Sequence, residues 1–162
     1  MKKLKLNLLA LLVIIGVGMS SCSSDDDPSG SQEPETFIRF SVDGVDFAYE
    51  DNIATVESNN ITINGQNGLS EDDDYSFMSI WFPLGFTTGT YDFSGDFFQE
   101  GDYKLNAEIN SLDVDDWATS GSVNITSIGS EFIRGTFTAT VPSDDGGTIT
   151  IENGEFKAYT ID

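Results

Sequence analysis

The stretch "EFIRGTFTATV", residues 131–141, alternates between two kinds of side chain from Ile133 to its end. Apolar or small residues occupy every second position from Ile133 to Val141, and arginine and threonines occupy the positions between them. Because successive side chains of a β-strand point to opposite faces of a sheet, this period of two indicates a strand with one buried and one solvated face. The stretch therefore predicts an antiparallel β-structure around residues 131–141.

Similar runs lie on both sides of this strand. "GSVNITSI" (121–128) precedes it, and "GTITI" (147–151) and "EFKAYTI" (155–161) follow it. The last two runs are separated by a segment that contains Asn153-Gly154. Asn-Gly between two alternating runs is typical of a tight hairpin turn. We therefore expect the chain to reverse direction at this dipeptide.

The same pattern extends back to residue 36. Asp43-Gly44 separates "TFIRFSV" (36–42) from "VDFAY" (45–49), which predicts another hairpin. "YSFMSIWFPL" (75–84) is mostly apolar and predicts a well-buried strand. Counting the whole region, we expect nine or ten strands and no long helix. The predicted fold of residues 36–162 is an all-β, antiparallel β-sandwich or barrel-like domain.

The first 21 residues have the composition of a secretory signal peptide. Lysine-rich residues 1–5 precede an apolar run at residues 6–19, which is short for a transmembrane span, and two serines follow. Cys22 is the only cysteine in the chain. Residues 22–35 then contain Ser, Gly, Pro, Gln and acidic residues and predict a flexible tether.

Met19-Ser20-Ser21-Cys22 resembles the lipobox of bacterial lipoproteins. This resemblance implies cleavage before Cys22 and attachment of a diacylglyceryl group to its thiol, so that residues 1–21 are removed and the protein is held in a membrane by acyl chains. The acidic run 25–27 resembles the export signal of Bacteroidota surface lipoproteins. It implies an outer-membrane lipoprotein at the cell surface, with the periplasmic face as the alternative.

The body of the chain is similar to a group of small Bacteroidota lipoproteins of unknown function. The similar motifs are the early "VDG", the "GTY" at 89–91, "GSVNIT" at 121–126, "IRGTFTA" at 133–139 and "IENGEF" at 151–156. They are mainly strand and turn motifs. The resemblance therefore implies no particular activity and no functional residues.

Acidic residues dominate the charge of the chain. Its 162 residues include 7 basic and 28 acidic ones, for a net charge of −21, and cleavage before Cys22 leaves 4 basic residues and a net charge of −24. Such a charge repels nucleic acid and excludes it as a partner. The chain has no histidine, which excludes Ser–His–Asp and Cys–His catalysis and His-based zinc sites.

Two acidic clusters in the body could supply the oxygen ligands that Ca²⁺ prefers. They are "SEDDDYS" (70–76) and "LDVDDW" (112–117). The simpler interpretation is that both are solvated loops. The second cluster also fails the EF-hand pattern, because Trp117 and Ala118 stand where that pattern has an oxygen ligand and a glycine. Apart from Ca²⁺ we expect no cofactor. The candidate ligands are Asp72, Asp73, Asp74, Asp113, Asp115 and Asp116.

Aromatic residues are concentrated between residues 81 and 117, and we expect most of them in the core. The segment "YDFSGDFFQEGDY" (91–103) differs, because it mixes aromatic residues with polar and turn residues. Exposed aromatic side chains beside polar groups suit sugar stacking or a protein interface. We therefore expect Phe97, Phe98 and Trp117 to contact a ligand.

These features favour a membrane-anchored lipoprotein without enzymatic activity, whose β domain has a binding or structural role. Its partner would be a glycan or a protein at the surface. Two alternatives stay open, a carboxylate-based glycan hydrolase and a pilus-like assembly subunit. Two carboxyl groups about 5–10 Å apart in a cleft would favour the hydrolase. An open groove for strand exchange would favour the pilus subunit.

Overall fold

The β-rich body is described by a computed structural model that covers residues 35–50, 53–57, 59–95, 99 and 101–160. The predicted signal peptide, Cys22 and the tether up to residue 34 lie outside the described residues, as do Phe97 and Phe98.

The described chain contains eleven strands and one 3₁₀ turn, Asn110–Leu112. The strands are β1 (Phe37–Val42), β2 (Val45–Glu50), β3 (Thr55–Glu57), β4 (Ile61–Asn67), β5 (Ser76–Phe82), β6 (Gly89–Asp92), β7 (Lys104–Ile109), β8 (Val114–Trp117), β9 (Ser120–Ile128), β10 (Phe132–Pro142) and β11 (Thr148–Tyr159).

These strands form two antiparallel sheets. The six-stranded sheet has the order β2-β1-β11-β10-β9-β6, and the five-stranded sheet has the order β3-β4-β5-β7-β8. The sheets pack on each other as a sandwich and do not close into a barrel. The all-β prediction is thus confirmed, and the sandwich is the correct one of its two forms.

Strand β8 accounts for part of the difference from the predicted nine or ten strands. Its residues belong to the acidic segment that the sequence predicted as a loop. Only Val114 is buried among its four residues, and Asp115 and Asp116 are exposed because β8 lies at the edge of the sheet. Because only one of its four side chains is buried, the segment does not show the hydrophobic alternation by which a strand is recognised.

The predicted hairpin at Asn153-Gly154 is wrong, because β11 passes through it as one strand. Asn153 has a φ of +52°, and the register of β11 shifts at this point against both of its neighbours. A left-handed residue suits a β-bulge as well as a turn. The Asn153 side chain donates to Ser41 Oγ over 3.0 Å. A Cβ atom at Gly154 would lie 2.5 Å from the Phe137 carbonyl oxygen, so the bulge requires glycine there.

The Asp43-Gly44 hairpin is confirmed. Val42 and Val45 pair directly, and the two residues between them have φ values of 50° and 77°, as a type I′ turn requires. The alternation in β10 is also confirmed. Its buried positions are Ile133, Gly135, Phe137, Ala139 and Val141.

Phe156 of β11 is the aromatic centre of the core. It is 2% exposed, and its ring centroid lies 6.0 Å from that of Phe82 in the other sheet and 6.5 Å from that of Phe137. The ring occupies the space above Gly135, where a Cβ atom would come within 2.5 Å of Phe156 Cζ. A glycine in β10 therefore makes room for the side chain that joins the two sheets.

Tyr49 of the edge strand β2 makes a second contact between the sheets. A Cβ atom at Gly65 of β4 would lie 2.6 Å from Tyr49 Cδ2, so the ring packs directly on that glycine. Burial raises the pKa of Tyr49 to about 12, and the Ser76 side chain partly offsets this increase. Within the described part of the chain, the Tyr49 hydroxyl makes no hydrogen bond of normal geometry.

We expect Tyr49 to make the fold sensitive to alkali. An unfolded tyrosine ionises near pH 10, whereas folded Tyr49 keeps its proton until about pH 12. The raised pKa therefore contributes stability that is complete below about pH 10 and is lost as pH rises towards 12; the loss is about 2 kcal/mol. Urea unfolding at several pH values measures it. The Tyr49→Phe variant should lose less stability over this window, and an equal decline in both proteins would contradict the prediction.

Candidate functional site

Strand β5 lies in the middle of the five-stranded sheet and alternates between its two faces. Met78, Ile80 and Phe82 are completely buried in the core. The residues between them therefore point to the outer face of the sheet. These outward residues are Phe77, Ser79 and Trp81.

Neighbouring strands complete this outer face through their register. Ser79 pairs with Asn64 of β4 on one side and with Asn106 of β7 on the other. Asn106 in turn pairs with Trp117 of β8, and Lys104 pairs with Trp81. The tryptophan face consists of Asn64, Ser79, Trp81, Lys104, Asn106 and Trp117.

The two tryptophan rings meet at nearly a right angle. The centroids of the Trp81 and Trp117 rings are 5.1 Å apart, and the ring planes enclose 84°. Edge-to-face contact of this kind is a favoured arrangement of aromatic pairs. Both residues are half-buried, so each keeps part of its surface in solvent. The pair therefore forms an L-shaped apolar corner on an otherwise polar face.

A chain of hydrogen bonds fixes the orientation of Trp81. Its indole Nε1–H donates to Ser79 Oγ over 2.7 Å, and the Ser79 hydroxyl donates to Asn64 Oδ1 over 2.6 Å. Ser79 is 5% exposed although it points outward. Each donor in this series of hydrogen bonds has an acceptor in the next residue, and linked hydrogen bonds of this kind reinforce one another. The Trp81 ring is thus held in one orientation before any ligand arrives.

Lys104 is the cation of this face, but its side chain is covered by its neighbours. The residue is only 4% exposed, and its Nζ atom donates to the carbonyl oxygen of Ser94 over 3.4 Å. The same atom lies 5.8 Å from the centre of the Trp117 ring. A lysine covers apolar surface with its aliphatic stem. Lys104 therefore supports the aromatic pair and offers little charge to solvent.

Acidic side chains border the tryptophan face at the end away from Trp81. Glu108 and Asp115 pair directly across β7 and β8 and point outward. Asp116 is bound locally: its Oδ1 accepts from the Trp117 N–H over 2.7 Å, and its carbonyl oxygen accepts from Asn106 Nδ2 over 3.1 Å. The site thus combines aromatic surface, amide groups and a negative border.

Of the predicted ligand contacts, the structure places Trp117 on this face. Phe97 and Phe98 lie outside the described residues. Trp81, Ser79 and Asn64 were not predicted as site residues. The signal for Trp81 was present, because it alternates with the buried residues of β5. The mostly apolar run 75–84 predicts a well-buried strand, and this prediction does not separate Trp81 from the buried residues around it.

Of the acidic residues predicted as Ca²⁺ ligands, Asp113 and those of the 70–76 cluster lie in loops, whereas Asp115 and Asp116 belong to strand β8. The Asn110 side chain donates to the carbonyl oxygens of Ser70 and Asp72, over 3.2 and 2.7 Å, and the Asp144 N–H donates to the Asp113 carbonyl oxygen. Asp72 Oδ2 accepts from the N–H of Leu69, which closes its own turn. Among the described residues, no three acidic side chains form a group that could hold a metal ion. The geometry therefore gives the Ca²⁺ interpretation no support.

Two cations on the outer face of the six-stranded sheet, Arg39 and Lys157, are engaged within the domain. The Arg39 guanidinium contacts Glu50 over 3.3 Å and Glu155 over 3.7 Å. Lys157 Nζ lies 4.4 Å from the centre of the Phe132 ring. These contacts are stabilising pairs on the surface of the sheet. This face is therefore a weaker candidate site than the tryptophan face.

Comparison of the chain with protein-family models, curated proteins and solved structures gives no match. Within the described ranges, no helix is long and apolar enough to cross a membrane. The class defined by the fold is an antiparallel β-sandwich of two sheets.

Proposed function

We propose that this chain is a lipid-anchored, non-catalytic binding protein of the outer membrane that displays the tryptophan face at the cell surface. The anchor is supported by the sequence, in which Cys22 follows a signal-like segment and precedes an acidic tether. Acyl chains on the Cys22 sulfur and terminal amine would supply durable attachment, which a single chain does not. The tether gives the domain reach, on the order of 20 Å on average.

The observation that carries the binding role is the fixed orientation of the tryptophan pair. Trp81 is held through Ser79 and Asn64, and the Trp81 and Trp117 rings meet edge to face. Aromatic side chains that are ordered before binding lose little conformational entropy when a ligand arrives. Preorganised aromatic groups with amides beside them are typical of ligand-binding surfaces.

The topology keeps this face separate from the point where the tether joins the domain. The tether precedes Phe37, the first residue of β1, and β1 belongs to the six-stranded sheet. The tryptophan face lies on the outside of the five-stranded sheet. A ligand can therefore bind one sheet while the other carries the connection to the membrane.

Neither alternative finds a specific observation in its favour. The hydrolase needs two carboxyl groups that face each other across a bound sugar. Glu108 and Asp115 instead are neighbours on one sheet surface. The pilus-like subunit needs a sheet with a missing strand. The six described strands of the larger sheet instead pair without interruption from β2 to β6.

The two tryptophans allow a direct test of the binding face. The chain has no others, so its indole N–H groups give two nuclear magnetic resonance signals, one from each side of the corner. We would titrate the purified protein separately with the polysaccharide and the protein released from the producing cells' surface. At least one fraction should shift both indole signals. Binding that shifts only signals from other parts of the domain, or no shift with either fraction, would refute the proposed face.

A further inference from the structure

We infer that the tryptophan face binds a neutral polysaccharide. This inference rests on the proposed function and names the ligand class for the same site. It follows from three properties of the face: the shape of its aromatic corner, the amide groups beside it, and the charge around it.

The aromatic corner suits a ring that is apolar on its flat side and polar at its rim. A pyranose ring has such a form, with C–H groups on its faces and hydroxyl groups around its edge. Trp81 and Trp117 present two apolar planes at 84° with centroids 5.1 Å apart. One sugar unit can lie on one tryptophan ring while the edge of the sugar contacts the other tryptophan ring. Because the sheet surface is flat, the polysaccharide can continue in both directions from this unit.

The amide groups beside the corner have hydrogen-bonding capacity to spare. The Asn64 Nδ2 group is exposed and makes only a long contact of 3.5 Å with Thr62 Oγ1. Asn106 uses its Nδ2 group on Asp116, and within the described chain no residue donates to its Oδ1 atom. One amide thus offers N–H donors and the other offers an acceptor. Sugar hydroxyl groups both donate and accept, so they match this pair.

The charge of the site selects against acidic ligands. Glu108 and Asp115 border the face, and the mature chain has a net charge of −24. The cation of the face, Lys104, is 4% exposed and bound to the Ser94 carbonyl. An anionic polysaccharide would therefore meet repulsion without a compensating surface cation. A neutral polysaccharide avoids this cost, and the border carboxylates can accept its hydroxyl hydrogens.

Affinity electrophoresis tests the inference with defined probes. The purified protein is run through gels that contain dextran, laminarin or mannan, which are neutral, and through a gel with polygalacturonate, which is acidic. We expect at least one neutral polymer to retard the protein and polygalacturonate to have no effect. Trp117→Ala and Trp81→Ala should each weaken the retardation at least tenfold, because each removes one wall of the corner.

Two control variants separate the aromatic corner from general surface effects. Phe132→Ala changes a half-buried aromatic residue on the other sheet and should leave retardation unchanged. Ser79→Ala removes the group that holds Trp81 and should weaken binding by a few-fold with the fold intact. Circular dichroism checks that each variant is folded.

The outcomes distinguish this inference from the proposed function. If no neutral polymer retards the protein, or if retardation survives both tryptophan substitutions, the saccharide inference is wrong. If the indole signals respond to a surface protein or to polygalacturonate instead, the ligand class is wrong while the binding face stands. If neither tryptophan responds to any probe, both fail.

Discussion

Replacing Phe156 with alanine lowers the free energy of unfolding by about 4 kcal/mol. The side chain is 2% exposed and lies between Phe82 of the five-stranded sheet and Phe137 of its own sheet. Truncating the side chain removes the free energy gained by transferring the ring from water to the core. It also leaves a cavity, which the strands on both sides cannot fill because the core is tightly packed. Urea unfolding followed by circular dichroism measures the change. We expect a lower midpoint with a similar slope.

Two further variants test whether the ring itself is responsible. Gly135→Ala inserts a methyl group 2.5 Å from Phe156 Cζ and 2.6 Å from the Asn124 carbonyl oxygen, so it should cost about 1–3 kcal/mol through overpacking. Thr136→Ala, at the next position of the same strand, points to solvent and should change stability by less than about 0.5 kcal/mol. Loss of less than about 1 kcal/mol in Phe156→Ala would show that the ring does not join the sheets as described.

Replacing Cys22 with alanine releases the protein from the membrane. The proposed anchor depends on acyl chains at this residue, and each buried methylene contributes about 0.8 kcal/mol to membrane binding. Without them the domain presents a strongly acidic surface, which has no affinity for an anionic leaflet. Radiolabelled palmitate should label the wild type and not the Cys22→Ala variant, and cell fractionation should find less of the variant in the membrane fraction.

A neighbouring substitution serves as the control for this experiment. Ser23→Ala leaves the thiol in place and should keep the protein in the membrane fraction with normal palmitate labelling. Protease added to intact cells then distinguishes surface display from the periplasmic face, because it digests only displayed protein. A Cys22→Ala protein that still incorporates palmitate would contradict the proposed anchor.

The sequence predicted the elements whose signal is local. The alternation of β10 and the Asp43-Gly44 turn each depend on a few adjacent residues, and both predictions are confirmed. The Asn153-Gly154 prediction is wrong because a left-handed Asn fits a bulge as well as a turn. Only the pairing partners decide between them, and β11 pairs with strands on both sides instead of with itself. Strand β8 was missed because an edge strand needs little apolar surface.

The site was also predictable only where its signal is local. Trp117 was expected to contact a ligand because it lies beside acidic residues. Its partner Trp81 is far away in sequence. The two rings meet across β7, because the sheet order places β5 and β8 on either side of that strand. The link from Trp81 through Ser79 to Asn64 depends on the register of β4 and β5. Register is a property of the folded sheets that no single segment encodes.

The position of β11 affects when the domain can fold. It is the last described strand to leave the ribosome, yet it lies between β1 and β10. Until it arrives, the early hairpin of β1 and β2 has one uncovered edge, and the aromatic centre of the core is missing. Closing so long a loop is slow. The six-stranded sheet therefore cannot be complete until β11 has been synthesised and has paired with both of its neighbours.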